Sequence, residues 1–159
     1  MAKFRERPVT DAAAHQLLTE YFGYRAQGFP GGPFAYLRSY PRPEQFVPPL
    51  GVFLIVEHAG ADVGCGGIRR IDSEHPDAVR YEVKHLWVKP PLRGHGLGRA
   101  LLTELERRAR GYGGTELMLD TNASLEAAAG LYNSRGFVDI EPYNDNPNAT
   151  NWYSKALTP

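Results

Sequence analysis

The sequence predicts an α/β fold in which a mixed, mostly antiparallel central sheet is flanked by helices. Three observations carry this reading. Apolar residues recur at helical spacing in two clear windows. Short apolar runs bounded by Gly and Pro fall between and after them. The elements follow the order helix, strands, helix, strand, helix, strands. A strand-helix-strand succession in the second half calls for at least one β-α-β crossover, and so for one parallel pair.

The first helix reads over residues 9–23. Thr10 or Asp11 can cap it, and Ala14, Leu17, Leu18, Tyr21 and Phe22 share one face. Residues 24–50 are rich in Gly, Pro and aromatics, which excludes a long regular element and leaves at most a short helix at 34–40. A loop of this length inside a small domain is often functional, with a domain linker as the bland alternative. Val52–Glu57 reads as a buried strand, His58–Asp62 as a turn, and Val63–Ile71 as the return strand, weakened or bulged by Gly64, Gly66 and Gly67. Val79–Val88 is the next strand, stopped by Pro90 and Pro91.

Gly94–Arg110 carries the strongest helix pattern. Leu97, Ala100, Leu101, Leu105 and Ala109 form its apolar face, with Glu104–Arg108 and Glu106–Arg110 expected as pairs on the wet side. Thr115–Asp120 reads as a strand. A helix follows, capped by Asn122 or Ser124 and ended by Gly136, and 137–140 and 151–157 close the pattern as strands.

Composition bounds the function. The 159 residues suit one domain over 1–159 with a core at 52–157, and 42% hydrophobic content allows a real core. Eighteen basic residues balance eighteen acidic ones, so no global field favours nucleic acid. A single cysteine, Cys65, cannot form an intrachain disulfide. No apolar stretch is long enough to span a membrane, and the first residues lack an apolar signal core, so a cytoplasmic protein without membrane attachment is expected. The histidines show no metal-ligand spacing, and no metal is expected.

The chemistry concentrates between Val88 and Ala100, in Lys-Pro-Pro-Leu-Arg-Gly-His-Gly-Leu-Gly-Arg. Here a strand stops, a short loop turns, and three alternating glycines open a helix. The first turn of a helix leaves about four N–H groups unpaired and carries the positive end of the dipole, so the place suits a phosphate. Arg93 and Arg99 flank it and can add charge-assisted bonds. A P-loop would end in Gly-Lys-Ser/Thr, whereas this loop ends Gly98-Arg99-Ala100. A dinucleotide fingerprint would place glycine where Arg99 stands, and its glycines would follow the strand directly.

Arg93-Gly94-His95-Gly96-Leu97-Gly98 resembles the Arg/Gln-x-x-Gly-x-Gly/Ala motif of the GCN5-related N-acetyltransferase (GNAT) family. The strand Glu82–Val88 before it, and Leu117–Thr121 and Ala128-Ala-Gly-Leu-Tyr132-Asn-Ser-Arg-Gly136-Phe137 after it, look like that family's core. The resemblance spans 52–157. It implies a splay, of β-bulge type, between two central strands, and acetyl-CoA as acyl donor. The backbone of Arg93, Gly94, His95, Gly96, Leu97, Gly98 and Arg99 would hold the pyrophosphate. The strand edge at Leu86, Trp87 and Val88 would hold the pantetheine arm, with an N–H of Leu86 or Val88 on the thioester carbonyl. Tyr132 would be the general acid at the thiol, although its helical spacing also suits a core aromatic.

Glu82 would be the base, directly or through water. By period two it would share a face with Lys84, Leu86 and Val88. An exposed glutamate paired with Lys84 or Arg80 is the bland alternative. Many relatives carry an asparagine where this chain has Leu125, and Asn122 stands nearby as a substitute contact or a helix cap. The implied activity is transfer of acetyl from acetyl-CoA to a primary amine. The acceptor is expected to be a small-molecule amine, bound on the side of residues 24–50, with a peptide amine or an acyl-CoA sensor without turnover as the alternatives. Relatives often dimerise, and the closing strands could pair between subunits to form a homodimer.

Overall fold

The structure is a computed structural model and describes residues 2–158. Seven strands form one sheet: β1 (Lys3–Glu6), β2 (Gly51–His58), β3 (Ala61–Ile71), β4 (Arg80–Val88), β5 (Glu116–Thr121), β6 (Val138–Ile140) and β7 (Asn151–Ala156). Their order across the sheet is β1-β2-β3-β4-β5-β7-β6. Every pairing is antiparallel except β4 with β5. That parallel pair is joined by α2 (Leu97–Gly111), the crossover the sequence calls for. Helix α1 (Ala12–Gln27) precedes β2, and α3 (Glu126–Ser134) follows β5. Among the described residues no helix is long and apolar enough to cross a membrane.

Apolar residues cluster on both sides of the sheet. Val52, Leu54 and Val56 of β2 join Leu97, Leu101, Leu105 and Ala109 of α2 in one cluster. Phe53 and Ile55 join Leu17, Leu18, Tyr21 and Phe22 of α1 in the other. This two-sided burial explains why β2 reads as a continuous apolar run. Asp11 caps α1, accepting from the N–H groups of Ala13 and Ala14. The predicted α1 face is buried in full.

Several expectations are corrected. Strand β1 is absent from the sequence reading, because an edge strand with the alternating charges of Lys3, Arg5 and Glu6 carries little apolar pattern. Residues 34–40 hold only a 3-10 turn at Pro33–Ala35. Helix α1 runs on to Gln27, and α2 begins at Leu97 rather than Gly94 because Gly94 and Gly96 take positive φ. Neither Asn122 nor Ser124 caps α3, whose first turn follows Leu125 without a side-chain cap. Glu106 does not lie on a wet face. It is 2% exposed and meets Lys155 at 2.6 Å, Arg110 at 3.6 Å and Arg135 at 3.9 Å, so its charge is buried and matched.

The most consequential departure lies in β4. Gly67 faces Lys84 and Cys65 faces Trp87, so His85 and Leu86 together stand opposite the single residue Gly66. His85 absorbs the extra residue with φ of 58°. Side-chain parity therefore inverts. Tyr81 and Val83 enter the α2-side cluster, and so do Leu86 and Val88, while Trp87 turns to the α1 side. Glu82 and Lys84 do not share a face with Leu86 and Val88, because the added residue breaks the two-residue period.

Gly67 is required here by close approach. A Cβ at that position would stand 2.8 Å from the Val52 carbonyl oxygen and 2.9 Å from the Phe46 ring. Gly67→Ala should destabilise the protein by about 1–3 kcal/mol, measured as a lower denaturant midpoint with an unchanged slope.

Candidate active site

Strands β4 and β5 pair only over Arg80–Glu82 with Glu116–Met118. Beyond that point β4 runs on to Val88 with its β5-facing edge free, while β5 continues against β7 alone. A cleft of about 1200 Å³ opens there. Its walls come from the end of α1, residues 36–45, the second half of β4, the glycine loop, the end of β5, α3, and residues 144–148. Of the residues singled out in the sequence, Leu86, Trp87, Val88, Arg93, Gly94, Gly96, Leu97, Gly98, Arg99 and Tyr132 line it. Glu82, His95 and Asn122 do not.

The glycine loop presents donors. Gly94 and Gly96 have φ of 85° and 77°, and a Cβ on either would meet nothing within 4 Å. Among the described residues, the backbone N–H groups of residues 94–99 make no hydrogen bond within the protein. The first bond of α2 runs from the Ala100 N–H to the Gly96 carbonyl. Six successive donors thus stand free at the positive end of a 15-residue helix. Arg93 is folded back. Its Nε donates to the Val88 carbonyl at 3.0 Å, its Nη1 donates to the Tyr24 hydroxyl at 2.8 Å, and its guanidinium lies 4.7 Å over the Tyr24 ring. It therefore ties the loop to the end of β4 and to α1.

Tyr132 is 6% exposed and packs against Phe137 and Tyr153. Burial pushes its hydroxyl well above the ordinary tyrosine value, which keeps it protonated. Both the core and the cleft readings hold for this residue.

Glu82 is the centre of a buried polar network. It is 1% exposed. Oε1 accepts from Arg69 at 3.0 Å, and Oε2 accepts from the Tyr143 hydroxyl at 2.7 Å and Asn144 Nδ2 at 3.3 Å. Lys84 stands 3.9 Å away and reaches Asp120 at 3.6 Å. Asp120, which does line the cleft, accepts from Asn144 at 2.7 Å and Asn146 at 3.1 Å. Asn148 completes the run, donating to the Leu37 carbonyl at 2.7 Å and accepting from the Leu37 N–H at 3.1 Å. Asn122 donates to the Asn148 carbonyl and accepts from the Ser124 N–H, so its side chain is spent on holding this tail. The sequence reading missed Asp120, Lys84, Arg69 and Tyr143 as one unit. The visible signal was the alternation Asn144-x-Asn146-x-Asn148 after a Tyr.

With the loop, free strand edge and buried tyrosine in place, comparison with known proteins is decisive. The sequence profile of the Acetyltransferase (GNAT) family matches residues 12–137. The chain belongs to the GNAT acetyltransferase family. A protein named IAA acetyltransferase from Azospirillum brasilense is 34% identical over 139 residues, covering 87% of this chain and 85% of the relative. A crystal structure from Klebsiella pneumoniae superposes with a TM-score of 0.77 at 25% identity and covers 99% of both chains. A GNAT acetyltransferase from Elizabethkingia anophelis with acetyl-CoA bound shares the fold, with a TM-score of 0.65 at 14% identity over 98% of both chains.

This GNAT enzyme carries an unusual histidine at the β4 irregularity. The His85 ring lines the cleft amid Tyr21, Phe22 and Phe46. Burial, reinforced by the positive charges of Lys84, Arg69 and Arg25, lowers its pKa to about 3. An unfolded histidine takes up its proton near pH 6.5, whereas the folded one refuses it until far lower pH, so stability is lost on acidification through that window. The melting temperature should fall between pH 6.5 and pH 4, and His85→Asn, which tolerates the same backbone, should flatten that fall.

Proposed function

We propose that the protein transfers the acetyl group of acetyl-CoA directly to the primary amine of a small molecule. The observation that carries this reading is the row of six free N–H donors at 94–99, which includes the positive-φ glycines Gly94 and Gly96 and ends at Arg99. Such a row fits a pyrophosphate, because its oxygens can approach where no Cβ intervenes. Gly94, Gly96, Gly98 and Arg99 would hold that group, with Arg93 positioning the loop. The unpaired edge of β4 at Leu86–Val88 would receive the pantetheine arm through backbone bonds, as an added strand does.

Acetyl-CoA supplies an acetyl group activated as a thioester. An N–H of Leu86 or Val88 on the free edge donates to the carbonyl oxygen as charge develops there. The C–N bond forms as the C–S bond breaks. Tyr132, held protonated by burial, gives its hydroxyl proton to the leaving sulfur and regains one from solvent. The amine's proton departs through water. Glu82 does not line the cleft and both its oxygens are occupied, so it serves as a base only through such a relay, past Lys84 and Asp120. Its direct contribution is to fix the positions of Lys84, Asn144 and Tyr143.

The small-molecule reading rests on closure. Asn148 and Leu37 bind each other twice across the acceptor side, which favours a compact amine over an extended peptide.

Calorimetric titration should show micromolar acetyl-CoA binding, weakened at least about tenfold by Gly96→Ala. A Cβ there enters the space that phosphate oxygens need. Normal affinity in the variant would remove the loop from the site. Tyr132→Phe should lower kcat by about tenfold to hundredfold with unchanged acetyl-CoA affinity. Binding without acetylation of any amine would leave a sensor instead.

A further inference from the structure

We propose that the amine acceptor also carries an anionic group, and that Arg25 is the residue that binds it. This rests on the acetyltransfer reading above and specifies its substrate class.

Arg25 lies near the end of α1, is half-buried, and lines the cleft. Among the described residues its one hydrogen bond goes from Nη1 to the Tyr21 hydroxyl at 3.0 Å. The guanidinium is flanked by two aromatic rings, 5.2 Å from the centre of Tyr36 and 5.9 Å from that of Tyr21. Among the described residues no carboxylate comes within ion-pair distance of it. A guanidinium has five N–H donors in a fixed fork that matches a carboxylate or phosphate bidentately, and it stacks on aromatic faces. Here one donor is used and the two rings hold the plane in place.

The neighbouring charges sharpen the contrast. Arg69 is matched by Glu82, and Lys84 by Glu82 and Asp120. Those two carboxylates are already saturated by Tyr143, Asn144 and Asn146. Lys89 is matched by Glu20. Arg42, on the rim of the same cleft, has no ion pair either. Glu126 also lines the cleft, yet among the described residues it makes no ion pair with Arg25 or Arg42, so the guanidinium of Arg25 stays unmatched. Arg25, His85 and Tyr132 line the same cleft, and the Tyr21 ring against which Arg25 stands lies 5.8 Å from the His85 ring. A small amine carrying a carboxylate or a phosphate would complete the fork, and binding it would leave the amine within the cleft.

The test uses matched acceptors with the intact protein and saturating acetyl-CoA: α-amino acids, their carboxamides, the corresponding decarboxylated amines, and an aminoalkyl phosphate. Anionic acceptors should exceed their neutral counterparts in kcat/KM by at least about tenfold. Whether the amino acids or the phosphate lead identifies the anion. Arg25→Met should bring the anionic-to-neutral ratio to about one, and Arg25→Lys should restore part of it. The acetyl-CoA dissociation constant should stay unchanged in both variants. Neutral amines acetylated as well as anionic ones by the parent protein would overturn the proposal, as would a ratio unaltered in Arg25→Met. An equal fall in acetyl-CoA affinity would assign Arg25 to the coenzyme and overturn it too. Absence of acetyl-CoA binding or of transfer to any amine would instead sink the acetyltransfer reading, and this inference with it. An independent readout is thermal stabilisation by N-acetyl amino acids in the presence of CoA, expected for the parent and lost in Arg25→Met.

Discussion

One extra residue in β4 decides which side chains of this strand meet α1 and which meet α2. With His85 and Leu86 opposite Gly66, the strand's faces exchange midway. Its first half sends Glu82 and Lys84 toward the acceptor side, while its second half sends Leu86 and Val88 against α2. The same departure from regular pairing accompanies the separation of β4 from β5 beyond Glu82 and Met118. The cost is concentrated at His85, a non-glycine residue in left-handed backbone whose ring is also deprived of water. The Cys65 thiol, which donates to the His85 carbonyl at 3.5 Å, is buried and pushed far from ionisation, so it acts as filler rather than as a nucleophile.

Charge is arranged in two regimes around this irregularity. On the α2 side, Glu106 gathers Lys155, Arg110 and Arg135 and joins the helix to β7 and to the end of α3. On the acceptor side, Glu82 and Asp120 gather donors from β3, β4 and the segment before β7. Both sets satisfy the requirement that a buried charge be paired and hydrogen-bonded. The glycine loop does the opposite and leaves its donors open. That difference between saturated and unsaturated polar groups separates framework from binding surface more sharply than burial alone, since Tyr132 and Glu82 are both buried yet only Tyr132 borders the cleft.

The loop and α2 were legible in the sequence because their physics is local. Glycine spacing, proline stops and helical periodicity all act within a dozen residues. Tyr132 was legible through the Leu-Tyr-x-x-x-Gly-Phe run, whose Gly136 takes φ of 87° just after α3. Strand β1 was not, because an edge strand need not be apolar. The surroundings of Glu82 were not legible either. They depend on Arg69, Tyr143 and Asn144, which are brought together by sheet register, and that register contains an irregularity no two-residue pattern could announce. Glu106 was misplaced for a related reason. A pairing four residues away on the helix suits a wet face, and Lys155 enters only through the far strand β7.

The clasp between Asn148 and Leu37 joins positions 111 residues apart by two solvent-exposed hydrogen bonds. Bonds of this kind contribute roughly 0.5–1.5 kcal/mol each. Parting both would therefore cost only about 1–3 kcal/mol, a small penalty beside that of unpacking either cluster. The clasp touches none of residues 93–99, so the donors of the glycine loop do not depend on it. The two ends of the cleft are thus held by separate sets of contacts, one of side-chain amides and one of bare backbone.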